Sequence, residues 1–139
     1  MNIYHLDIVS AESKIFSGSV QRLFVSGIEG DLEILCGHAP LLTLLNSGPT
    51  WIVNAAGEEE VFYVSGGMLE VQPRIVTILA DMVIRAIDVD EQQALAAKDR
   101  AEQVLGRHLK DFDYAKAQVQ LTKAIAQLKT LKKFRDRRH

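Results

Sequence analysis

Cys36 and His38 stand two positions apart, Glu58, Glu59 and Glu60 run consecutively, and Gly66-Gly67 follows an apolar stretch. A thiol beside an imidazole could act as nucleophile and base. Residues two apart share a face of any strand, however, so this closeness needs no catalytic reason, and a structural thiol is the plainer reading. Three carboxylates could hold a cation, but consecutive residues in a hairpin loop point in different directions, which favours a solvated turn. A Gly-Gly pair cradles phosphate when it precedes a helix. This one lies between two strand-like runs and reads as a turn. The other histidines, His5, His108 and His139, are scattered. There is no glycine-lysine phosphate loop, no GxSxG nucleophile elbow, no HExxH pair and no two-cysteine metal cluster. Enzyme chemistry has no constellation to rest on.

The elements that must position these residues fall into two kinds. The chain has 139 residues, is 47% hydrophobic and 24% charged, and so can bury a core. Eight of the nine glycines and all three prolines precede position 88. Between them lie short runs rich in β-branched and aromatic residues, at 3–9, 20–25, 51–53, 61–64 and 75–79, each closed by Ser, Gly, Pro, Asn or Asp. No stretch between them is long enough for a helical crossover, which predicts antiparallel sheets stacked as a β-sandwich of eight to ten strands. The pattern changes at Asp88-Val89-Asp90, where an N-cap precedes Glu91. Ala94, Ala97, Ala101 and Val104 recur at steps of three and four, Gly106 ends that helix, and Asp111 or Asp113 could cap a second. On the second, Tyr114, Ala117, Leu121, Ala124, Leu128 and Leu131 form an opposing stripe. The expected fold is α+β: a sandwich over residues 1–87 and an antiparallel two-helix hairpin over 88–139. Its alanine seam buries little apolar area, so the hairpin should be marginal and able to detach.

Charge divides the same way. Up to Asp88 four basic residues face eleven acids, a net of −7; beyond it twelve Lys and Arg face seven acids, a net of +5. The basic excess gathers in the second helix and the tail from Lys132 to His139, where it is either a solvated helix face or an electrostatic handle for an acidic partner. The tail is also a candidate for disorder. A nucleic-acid binder is disfavoured by the acidic sandwich and the few aromatics along the basic arm. No apolar run approaches the roughly 20 residues a membrane span requires. One cysteine and no leader-like opening make a reducing, cytosolic compartment the expectation.

Several stretches together resemble the epsilon subunit of the bacterial F-type ATP synthase, called delta in mitochondria. They are Tyr4-His5-Leu6-Asp7-Ile8-Val9-Ser10-Ala11-Glu12, Phe16-Ser17-Gly18, Gly30-Asp31-Leu32, Gly37-His38-Ala39-Pro40-Leu41-Leu42, Tyr63-Val64-Ser65-Gly66-Gly67-Met68-Leu69-Glu70-Val71, Leu79-Ala80-Asp81, Asp113-Tyr114-Ala115 and Lys123-Ala124-Ile125-Ala126-Gln127-Leu128. The GHAPLL and SGGxLEV stretches are the specific ones, and the resemblance spans essentially the whole chain.

The resemblance implies a rotor component of a proton-driven synthase without catalysis of its own, peripheral to the cytoplasmic face of the bacterial inner membrane. Its sandwich would bind the gamma subunit and rest on the c-ring through a loop matching residues 29–38, with Asp31 and His38 as ring contacts. Its helices would switch from a folded to an extended state that enters the catalytic head of alpha and beta subunits and blocks ATP hydrolysis. Lys123, Lys129, Lys132 and Lys133 are the candidates for an acidic segment of beta. Some members bind ATP through an Asp-x-x-Arg-Ala motif and arginines on both helices. Here the motif reads Asp90-Glu91-Gln92-Gln93-Ala94, Arg100 matches one helix arginine, and the second helix offers Lys123 and Gln127. Glutamine offers no charged fork and lysine only a point charge. Asp90, Arg100 and Lys123 therefore imply ATP as at most a weak regulatory ligand, with no other cofactor. The alternative is a stand-alone β-domain for a small ligand with an accessory hairpin.

Overall fold

The computed structural model describes residues 2–107 and 111–137, apart from the side chains of Asp111 and Phe112. In chain order the elements are β1 (Tyr4–Ser10), β2 (Lys14–Gly27), β3 (Gly30–Leu35), β4 (Leu41–Leu45), β5 (Gly48–Asn54), β6 (Glu59–Val64), β7 (Gly67–Val71), β8 (Ile75–Ala80), β9 (Val83–Arg85), a 3-10 turn (Ala86–Asp88), α1 (Glu91–Leu105) and α2 (Asp111–Arg137). The described residues thus hold nine strands followed by two helices, the α+β order expected. Strand grammar singled out segments of β1, β2, β5, β6 and β8. It passed over β3, β4 and β7, whose Gly, Asp, Glu and Leu content is poor in strand formers and which are held by pairing with neighbours, and over β9, which has only three residues.

One layer runs β1-β8-β7-β4 and the other β3-β2-β5-β6-β9. The long β2 belongs to both. Its first half pairs with β1, and beyond a register shift between Val20 and Arg22 its second half pairs with β3 and β5. Such irregularities let a strand bend from one sheet into another. The pairing is antiparallel except between β1 and β8, which run parallel. The expectation of purely antiparallel sheets is corrected there: β1 fills a gap between β2 and β8 and takes the direction that its hairpin with β2 dictates. Between the layers Leu6, Ile8, Leu23, Ile52, Phe62, Leu69 and Ile78 are all at 0% exposure. Buried Tyr4 donates its hydroxyl to the Ile34 carbonyl at 2.6 Å. Burial, with the Cys36 and Glu33 charges adding to it, pushes that hydroxyl's pKa up, so it remains a donor.

Gly67 opens β7 at φ +149°, and a Cβ there would collide with the Leu79 carbonyl oxygen across the β7–β8 ladder. The turn read at Gly66-Gly67 is therefore a close backbone approach as well.

Asp90 caps α1 by accepting a hydrogen bond from the Gln93 N–H at 3.1 Å. Gly106 ends that helix in a right-handed rather than left-handed conformation. Asp113 lies inside the first turn of α2 and so does not cap it, although its charge suits the helix's positive end. Asp111 opens α2, and its side chain lies outside the described residues, as do His108, His139 and Arg138. The seam buries Ala94 and Ala101 against Ala117, Ala124 and Leu131, while Tyr114, expected in the stripe, is 47% exposed at the far end. A second face of α2, carrying Ala126, Thr130 and Phe134, packs on β5 and β6. Trp51, Ile52 and Val53 of β5 are accordingly buried on both faces of the strand. Residues 132–137, part of the tail read as a candidate for disorder, continue α2 as helix against the sandwich.

Candidate functional site

Cross-strand partners share a face of a sheet. Leu44 faces Met68, Met68 faces Leu79, and Leu79 faces Val9, so β4, β7, β8 and β1 carry one apolar row on the side away from the helices. Leu44 is 54% exposed and Leu79 44%. Ile28 joins them, its N–H donating to the Leu44 carbonyl at 3.0 Å. The row borders a groove of about 680 Å³ at the end of the sandwich. An exposed apolar row of this kind is a candidate interface. Sequence reasoning missed it, because the row draws one residue from each of four strands.

The adjacent row begins at exposed Leu42, which faces Glu70, and is polar from there, Glu70 facing Thr77 and Thr77 facing Asp7. There Ser17 donates its hydroxyl to Asp7 Oδ1 at 2.6 Å, and His5 Nε2 lies 2.9 Å from the same oxygen. The Ser17 bond first, then the His5 bond and the Lys14 charge, hold the Asp7 carboxyl below the usual range. This is not a nucleophile relay, because the serine donates to the acid and one imidazole nitrogen meets both partners. It clamps β1 to β2. Register was the only signal that could have found it, since Asp7 and Ser17 are ladder partners.

Cys36 and His38 lie in the connection after β3, not on a strand. Exposed Cys36 directs its thiol to the Ile3 carbonyl at 3.6 Å, and His38 Nδ1 lies 2.7 Å from the Ala39 carbonyl oxygen. Asp31 and His38 are not brought together. Asp31 starts the edge strand β3 near the Ile28 turn and is exposed, whereas half-buried His38 follows that strand's other end. The solvated turn read for the three glutamates holds for exposed Glu58 and is corrected for the other two. Glu59 and Glu60 begin β6, Glu60 accepting from Arg85 at 2.6 Å and Glu59 from Arg137 at 2.7 and 2.5 Å.

The helix pair forms a cleft of about 580 Å³ lined by Gln93 and Arg100 from α1 and Gln120, Lys123 and Gln127 from α2. Steps of three and four place each set on one helix face. Arg100 and Lys123 thus meet at one site, while Asp90 stays at the start of α1 as its cap. Lys123, Lys129 and Lys132 are exposed; Lys133 is half-buried, its ammonium 5.4 Å from the Phe24 ring. Among the described residues no helix is long and apolar enough to cross a membrane.

Residues 3–86 match the model of the ATP synthase delta/epsilon chain β-sandwich domain, and residues 88–132 that of its long α-helix domain. The ATP synthase epsilon chain of Chromohalobacter salexigens is 49% identical over 137 residues, 99% of this chain and 97% of that one. Among solved structures, a chain of the mitochondrial ATP synthase of Euglena gracilis superposes with a TM-score of 0.83 at 16% identity, covering 91% of this chain and 79% of that one. A chain of the central stalk and c-ring structure of the Tetrahymena thermophila enzyme gives 0.60 at 18%, covering 92% and 96%. At such identities the two superpositions speak for the fold alone. A two-layer β-sandwich followed by a docked helical hairpin is the two-module architecture of the ATP synthase delta/epsilon chain. The chain belongs to the ATP synthase delta/epsilon family, as an epsilon-type subunit of the F-type enzyme.

Proposed function

We propose that the protein is a non-catalytic rotor subunit that couples c-ring rotation to the catalytic head and brakes ATP hydrolysis through its C-terminal helices. The observation that carries this reading is the match of both modules, in order, to the family's two domains. The apolar row of Val9, Leu44, Met68 and Leu79 supplies a surface for the gamma subunit. Asp31 and His38, at the two ends of the edge strand β3, are the groups offered to polar loops of the c-ring.

The small side chains between the two helices and, at Ala126 and Thr130, against the sheet support the brake, because interfaces of that kind need only a few kcal/mol of differential contact to change their population. Released, α2 would present Lys123, Lys129, Lys132 and Lys133 to an acidic segment of beta, each exposed pair contributing at most about 1 kcal/mol. The Arg100–Lys123 cleft has the charge to hold a phosphate. With Gln93 and Gln127 in place of further cations it would hold ATP only weakly. Location at the cytoplasmic face of the bacterial inner membrane, peripheral and through the complex, follows from the same reading.

The test is ATP hydrolysis by a catalytic complex depleted of its epsilon subunit, titrated with the full chain and with residues 1–88. Binding of both with inhibition by the full chain alone is expected. Binding without inhibition removes the brake, and failure of both to bind removes the rotor assignment.

A further inference from the structure

The hairpin touches the sandwich through two different kinds of contact. Along the middle of α2 the buried side chains facing the sheet are small, Ala126 and Thr130, and the threonine hydroxyl is satisfied by the Ala126 carbonyl of its own helix at 2.8 Å. At the end of α2 the contacts are aromatic and ionic. Phe24 and Trp51 stack at 5.4 Å with ring planes 13° apart, making a flat platform on the outer face of the second layer. The Arg137 guanidinium lies 3.6 Å from the centre of the Trp51 ring. The same guanidinium donates to both oxygens of Glu59, 78 positions away in the chain. Lys133, one turn earlier, stands over Phe24, and Phe134 packs against the same cluster. Arg135 reaches the other way and pairs with Glu91 at the start of α1.

We propose that the last turn of α2 is a salt-sensitive clasp that holds the hairpin on the sandwich, with Arg137 as its pin between Trp51 and Glu59. Three physical points support it. A guanidinium over an indole and in a bidentate pair with a carboxylate uses both of its binding modes at once, its face and its edge. The partly screened site, with the Arg137 side chain 25% exposed and that of Glu59 34%, lets mobile ions compete for both charges. The charge division of the chain, −7 before Val89 and +5 after it, gives the basic arm an acidic partner within its own molecule. The clasp concerns the free chain, so it stands or falls apart from the brake.

Trp51 is the only tryptophan, so its emission reports the platform directly. The experiment follows Trp51 emission and amide hydrogen exchange of the full chain at low and high sodium chloride. It compares the natural chain with Arg137→Ala, Arg137→Lys and Glu59→Gln. In the natural chain, raising salt from about 0.02 to 0.5 M should red-shift Trp51 and speed exchange in residues 128–137 about tenfold, leaving β1 and β8 unchanged. Arg137→Ala and Glu59→Gln should give the fast exchange already at low salt. Arg137→Lys should fall between, because an ammonium keeps the charge and loses the planar fork. The clasp is overturned if exchange in residues 128–137 ignores both salt and Arg137→Ala. It is equally overturned if exchange rises alike in β1, β8 and α2, since Arg137 would then support the whole fold rather than the docking.

Discussion

The side chains that the sandwich takes from water are large, with Phe62, Ile8, Ile52, Leu69 and Ile78 fully enclosed, whereas those the hairpin takes are Ala94, Ala101, Ala117, Ala124, Ala126 and Leu131. A buried Leu, Ile or Phe contributes about 1.5–3 kcal/mol and a single methyl group under about 1. The sandwich therefore carries its own core, while the hairpin depends on shape, caps and ion pairs at its ends. The difference teaches how one chain can combine a rigid docking block with a part whose attachment is adjustable. Solvent conditions that leave the first untouched can move the second.

The largest expected effect lies in the sandwich. Phe62→Ala should cost about 3–5 kcal/mol and lower the unfolding midpoint of the whole chain in denaturant, because no neighbour can fill the space between layers. A loss confined to the helices would contradict the comparison. Next, Ala101→Leu places three extra carbons in a seam with no room for them. It should cost about 1–3 kcal/mol of helix pairing, visible as faster exchange in α1 and α2 with β8 unchanged. If the substitution strengthens the pairing, the seam is looser than its burial indicates.

The smallest effect is electrostatic and separates one carboxylate in each region. Asp7 and Glu91 both have lowered pKa values, Asp7 chiefly from the Ser17 hydrogen bond and Glu91 from the Arg135 hydrogen bond. A lowered folded-state pKa stabilises above the ordinary carboxylate range, and the contribution is lost as pH falls through the folded value. Acid should thus weaken both regions, each through its own group. In carboxyl NMR titrations Ser17→Ala should raise only Asp7 and Arg135→Ala only Glu91. Movement of the distant carboxylate in either variant would show that the two regions are electrically coupled.

Much of this arrangement was legible in the residues themselves. The change of grammar at Asp88, the Asp90 cap, the alanine steps of α1, the Gly66-Gly67 turn and the opposite charge of the two parts are properties of neighbouring positions, and spacing reveals them. The resemblance carried by GHAPLL and SGGxLEV was legible too. The weak-stranded β3, β4 and β7, the short β9, the parallel partnership of β1 with β8 and the apolar row across four strands were not, since pairing between distant segments leaves no local periodicity. The same holds for the acidic run and the basic tail, each of which reads as solvated on its own. Composition and periodicity by themselves determined two modules, a sandwich and a helical pair of opposite charge. Only the tertiary structure decided that Glu59 meets Arg137 across the Trp51 ring and that Asp31 and His38 part to opposite ends of one strand. Local propensity acts within a few residues, while the partner of a charge or a strand edge is chosen by whatever the folded chain brings beside it.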